Sequence, residues 1–208
     1  MNVNSFMHKS LVLLFAVITC ISLSACTSNT EINSSTIIEA PILLEPLTTE
    51  KIDQTPDSAL VWLVFQHISR SIPTDSDQEL AYILSLPKPQ QAIYVSCVLE
   101  NEVNNGGFNQ FYYNPSGQFT KLVPDALKLI GATQFAALTQ AANEVYEKEK
   151  EHITKHQDGT TEGFSKSYED NPLDKFDDQF YKLKEPLGEL QIAFIRKNKE
   201  AFVTRGTR

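Results

Sequence analysis

Residues 102–117 read EVNNGGFNQFYYNPSG, which crowds four Asn, three Gly and four aromatics into sixteen positions. Asn104, Asn105, Asn109 and Gln110 each carry donors and an acceptor. Such amides either satisfy open backbone groups at a helix corner or line a polar pocket for a sugar or peptide. His152 and His156 form a second candidate set, since they share one helical face as metal ligands would. Glu149 precedes them by three residues, but HITKH lacks the Glu that follows the first His of the zinc-protease motif. No metal or cofactor is therefore expected. Asp174, Asp177 and Asp178 lie at i, i+3 and i+4 and make one acidic helix face. That face is either solvated or a seat for a basic partner. Cys97 stands in the apolar run AIYVSCVLE and reads as a buried small hydrophobe. With no nucleophile elbow, P-loop or dinucleotide fingerprint, no catalytic residue is assigned and no enzyme is expected.

The start of the chain carries different chemistry. Lys9 precedes the apolar run SLVLLFAVITCISL, which is shorter than the roughly 20 residues of a membrane span and reads as a secretory signal. It ends in LSAC, Leu23 to Cys26, which resembles the lipobox of bacterial lipoproteins at all four positions. The resemblance implies cleavage after residue 25, acylation of Cys26 and anchoring in the lipid bilayer, where two or more chains hold stably. Thr27, in place of Asp, resembles the outer-membrane sorting pattern, so the expected location is the cell envelope, facing the periplasm. Residues 26–54, rich in Ser and Thr and broken by Pro41 and Pro46, read as a flexible tether with a reach of roughly 30 Å.

Charge narrows the partners. The whole chain carries −8, and removal of residues 1–25 leaves 17 bases against 26 acids, or −9. An acidic protein is not built to hold nucleic-acid phosphate directly. From Glu144 to Glu189 there are 13 acids against 7 bases.

Positioning these residues falls to helices, which the periodicity places throughout 55–208. Leu60, Val61, Val64, Phe65 and Ile68 follow helical spacing, with Thr55 as the expected cap and Pro56 at the first position. SDQELAYILSL is a second helix, stopped by Pro87. PQQAIYVSCVLENEVNN is apolar nearly all round in its middle and reads as the central helix. Gly106 and Gly107 then suit a left-handed C-cap. Phe108, Phe111 and Tyr112 share one face of a short helix, and Asn114 to Gly117 form a turn. PDALKLI ends at Gly131. TQFAALTQAANEVYEKEKEHI starts on Thr133 as cap, with Phe135, Leu138, Ala142 and Val145 on one face. Residues 155–171 read as a polar loop, and two helices led by prolines close the chain. The expectation is an all-α bundle of seven or eight short helices.

The block LPKPQQAIYVSCVLENEVNNGGFNQFYYNPSG, followed by ALKLIGA, resembles the C-terminal domain family of DNA mimic protein nineteen. The late segments LDKFDDQFYKL and FIRKN are similar to that family's closing helices, and the resemblance spans about residues 57–203. Its motif positions are Glu102, Asn104, Asn105, Gly106, Gly107, Phe108, Gln110, Asn114 and Gly117. The resemblance implies an all-helical domain. It also implies a homodimer whose carboxylates imitate DNA phosphates toward a basic DNA-binding protein. The lipobox points the other way, to a compartment without transcription factors.

Overall fold

The computed structural model describes residues 46–73 and 78–203. Ten α-helices and two 3₁₀ turns make up the described residues, with no strand among them. They are α1 (Thr49–Gln54), α2 (Asp57–Arg70), α3 (Glu79–Ser85), α4 (Lys88–Tyr113), α5 (Val123–Ile130), α6 (Thr133–Lys148), α7 (Lys150–Thr154), α8 (Thr161–Lys166), α9 (Asp174–Lys182) and α10 (Leu187–Lys197). The 3₁₀ turns are Pro115–Phe119 and Lys199–Ala201. None of the described helices is long and apolar enough to cross a membrane.

α4 organises the rest because its first half has no polar side to give to water. Every residue from Gln91 to Cys97 is buried. A helix apolar all round must be covered all round, and α2, α3, α5 and α9 pack on it. α6 packs on α5 and α9, while α10 packs on α2 and α5. Cys97 is buried in this core, and burial pushes its thiol well above the ordinary range. The nucleophilic thiolate is suppressed there.

Two buried side-chain clusters tie the bundle across its layers. Glu79, at the start of α3, accepts from the Tyr94 hydroxyl at 2.6 Å and from Gln118 Nε2 at 3.0 Å. Gln191 of α10 reaches Ser96 Oγ of α4 at 3.1 Å. Both clusters follow the rule that a polar group enters a core only with partners.

Several elements differ from the sequence expectation. The folded unit begins at Pro46, not at residue 55. The end of the expected tether is α1, whose Thr48 side chain accepts from Lys51 N and whose Ile52 is buried. Thr55 does not cap α2, since the helix starts at Asp57 behind Pro56. The loop 155–171 contains α8, capped by Thr160 through Gly163 N. The long helix after Thr133 breaks at Glu149 into α6 and α7. Thr133 is the first residue of α6 and not its cap. The Glu185 carboxylate takes that role from the α9–α10 connection, accepting from Gln134 N at 3.0 Å and Phe135 N at 3.1 Å. An acid at this position also meets the positive end of the helix dipole.

Glu185→Ala therefore removes the acceptor for two open N–H groups of α6. The expected loss is about 1 kcal/mol, read as a lower urea midpoint with an unchanged slope.

Candidate functional site

The motif residues 102–117 sit where α4 breaks. Gly106 (φ −158°, ψ 26°) and Gly107 (φ 73°, ψ −176°) leave helical geometry, dividing α4 into a long first half and a last turn and a half from Phe108 to Tyr113. The expected left-handed C-cap holds for the φ of Gly107 only. Its ψ lies in the extended mirror region, which is essentially open to glycine alone. Space imposes the same choice: a Cβ on Gly107 would fall inside the Asp177 carboxylate. One on Gly106 would meet Gln110 Oε1 and the Tyr168 hydroxyl.

A broken helix exposes carbonyls on one side of the break and N–H groups on the other. Here the C-terminal part of the chain supplies the partners. Tyr181 donates its hydroxyl to Val103 O at 2.7 Å, and Tyr168 donates to Gly106 O at 2.8 Å. Asp177 Oδ1 accepts from Phe108 N at 2.7 Å. Burial raises the Asp177 carboxyl above the ordinary aspartate value. The Phe108 bond pulls it down, and the neighbouring Asp174 and Asp178 push it up. Phe108, fully buried, stacks edge-on against Phe176 and Phe180 and fixes the second half of α4 on α9.

The polar residues of the motif converge on Glu102. Its carboxylate is buried and accepts from Gln110 Nε2 at 2.7 Å, Asn114 Nδ2 at 2.9 Å and the Ser116 hydroxyl at 2.9 Å. Asn105 Nδ2 in turn donates to Gln110 Oε1 at 2.9 Å. Asn109, also buried, donates to Ser167 Oγ at 2.7 Å, while its Oδ1 has no partner among the described residues. A buried carboxyl group is tolerable where neutral donors replace its water. Gly117 completes the turn, since a Cβ there would press on the Tyr112 carbonyl at 2.9 Å. Asn104 alone of the motif amides is exposed and without a side-chain partner among the described residues.

Most of the sequence-predicted site residues are thus brought together, and they bind one another. Two depressions on the described surface, one beside His152, Asp170 and Pro172 and one along Glu147–Thr154, are lined by no motif residue. His152 Nε2 bonds the Asp170 carbonyl at 3.0 Å. The described residues hold no cluster of three His, Cys, Asp or Glu that could bind a metal.

The acidic face of α9 is divided. Asp177 turns into the break, whereas Asp174 and Asp178 stay exposed, with Asp178 3.4 Å from Lys182. The expectation of a three-acid outer face fails for Asp177 because it borders the buried stripe of Leu173, Phe176 and Phe180 at about 100° per residue. Cys26 lies outside the described residues. Sequence reasoning missed Ser116 as a Glu102 partner and Tyr168 and Tyr181 as caps. Only their hydroxyl-bearing types marked them.

These features define an all-helical domain built on a broken central helix whose open groups are capped from its own C-terminal third. The chain belongs to the DMP19-like protein family, whose model matches residues 84–198, more than half of its length. No curated protein matches it.

Two substitutions separate charge from hydrogen bonding at the break. Glu102→Ala leaves Gln110 and Asn114 without their acceptor and is expected to cost about 3 kcal/mol or more. Glu102→Gln keeps one oxygen for those donors, while its new NH₂ donates to Ser116 Oγ, which redirects its proton to the Phe111 carbonyl 3.2 Å away. It should cost about 1 kcal/mol or less. Gly107→Ala should cost about 2–4 kcal/mol through backbone strain together with the clash of its Cβ with Asp177. Urea denaturation of the three variants provides the comparison.

Proposed function

We propose that this protein is a lipid-anchored, acidic helical module that binds a basic protein partner on the periplasmic side of a bacterial membrane. The observation that carries this reading is the closure of the motif. Glu102, Gln110, Asn114 and Ser116 spend their hydrogen bonds on one another, so recognition falls to the outer surface. There Glu147, Glu151, Glu169, Asp174 and Glu189 are exposed, with no ion-pair partner among the described residues. Unpaired carboxylates attract a cationic protein over distances set by salt screening.

Membership of the DMP19-like family supports a mimic-type mode of action, in which carboxylates stand in for phosphates. The LSAC exit from the signal supports export, and an exported mimic meets a basic protein other than a cytoplasmic repressor. The alternative of a sugar-binding or hydrolase domain has less support, because Asn105, Gln110 and Asn114 bond within the motif and no described depression is lined by it.

Metabolic labelling with a fatty-acid analogue tests the anchor: wild type should carry label in the membrane fraction, and Cys26→Ala should lose both label and membrane association. Capture of envelope proteins by the intact chain tests the module. A basic partner should be retained at low salt and released as ionic strength rises. Labelling that persists in Cys26→Ala overturns the anchor, and retention indifferent to salt overturns the electrostatic mode.

A further inference from the structure

α1 has six residues, too few for a helix to persist in water without docking. Leu47 and Ile52, both buried, hold it to the domain. Two cations from later in the chain add polar contacts. Arg196 donates to Ile52 O, to Thr55 O at 2.7 Å and to Asp57 Oδ1 at 2.6 Å. Lys199 Nζ lies 2.5 Å from Asp53 Oδ2. The guanidinium thus satisfies carbonyls left open where α1 ends, and both ion pairs remain partly exposed to water.

The surroundings of α1 are also narrow. The helix seats against the closing 3₁₀ turn Lys199–Ala201. It lies outside the family-matched stretch 84–198, whereas Arg196 lies within it. Two buried side chains, Leu47 and Ile52, and two screenable cations hold α1, whereas every residue of α4 from Gln91 to Cys97 is buried.

We propose that α1 is a releasable strap: it leaves the domain as a unit by breaking the Arg196 and Lys199 contacts, while α2 to α10 stay folded. Local opening of this kind is drawn from segments with few buried contacts. Release frees residues 46–55 and adds up to roughly 35 Å of chain ahead of α2. Salt favours the long form, because it screens both ion pairs.

Hydrogen exchange on the intact chain, read by mass spectrometry at low salt and at about 1 M salt, tests this. Amides of 50–55 should exchange about 100-fold faster than those of Val95–Leu99. They should accelerate with salt while the core does not. Asp53→Asn and Arg196→Met should accelerate α1 alone, and trypsin should cut after the exposed Lys51 first. If Arg196→Met fails to fold, Asp53→Asn carries the same readout, since it alters only a half-exposed pair. Exchange of α1 in step with Val95–Leu99, or an Asp53→Asn protein indistinguishable from wild type, overturns the strap.

Discussion

The bond from Phe108 N to the Asp177 carboxylate is the interaction on which the rest of the structure depends. A central helix that is apolar all round can be long only if something redirects it before it leaves the core. The Gly106–Gly107 break does that, at the cost of leaving partly buried backbone groups without helical partners. Asp177, Tyr168 and Tyr181 satisfy them. Asp177 and Tyr181, both on α9, bring that helix onto α4, so that Phe176 and Phe180 meet Phe108. Capping and core packing at this point are one arrangement.

Capping by distant side chains recurs through the domain. Glu185 closes the start of α6, and Arg196 closes the end of α1. Glu79 and Glu102 anchor buried clusters made of neutral donors. Several acids therefore face inward or cap helices. The charge available to a partner is smaller than composition suggests, and it is carried by residues with no structural duty, such as Glu147, Glu151 and Asp174.

Much of this was legible in the sequence. The all-α class followed from periodicity, and the all-round apolar middle of α4 marked it as central. Phe108, Phe111 and Tyr112 were placed on a short helix after the glycines, and Gly131 at a left-handed helix end, where it has φ 96°. What was not legible depends on partners far along the chain. No local rule connects Asp177 to Phe108 or Glu102 to Ser116, so the sequence places Asp177 on an outer acidic face, solvated or partner-facing, and leaves the amides open. α1 escaped because Leu47 and Ile52 are too few to form a period. α8 escaped because Gly163 sits inside it, although Thr160 offered a cap. The stretch LSAC stands apart, since what its resemblance to a lipobox implies is chemical and not conformational.

The capping pattern has a consequence for how the chain comes into being. Synthesis runs from the N-terminus, so the break at Gly106 and Gly107 is made long before its partners exist. Val103 and Gly106 wait for hydroxyls 78 and 62 residues downstream, and Phe108 waits for a carboxylate 69 residues away. Contacts at such separations form late. A nascent chain shorter than about 181 residues lacks the means to close its own centre. Until residues 168–181 have been made, the backbone groups at its central break stay open.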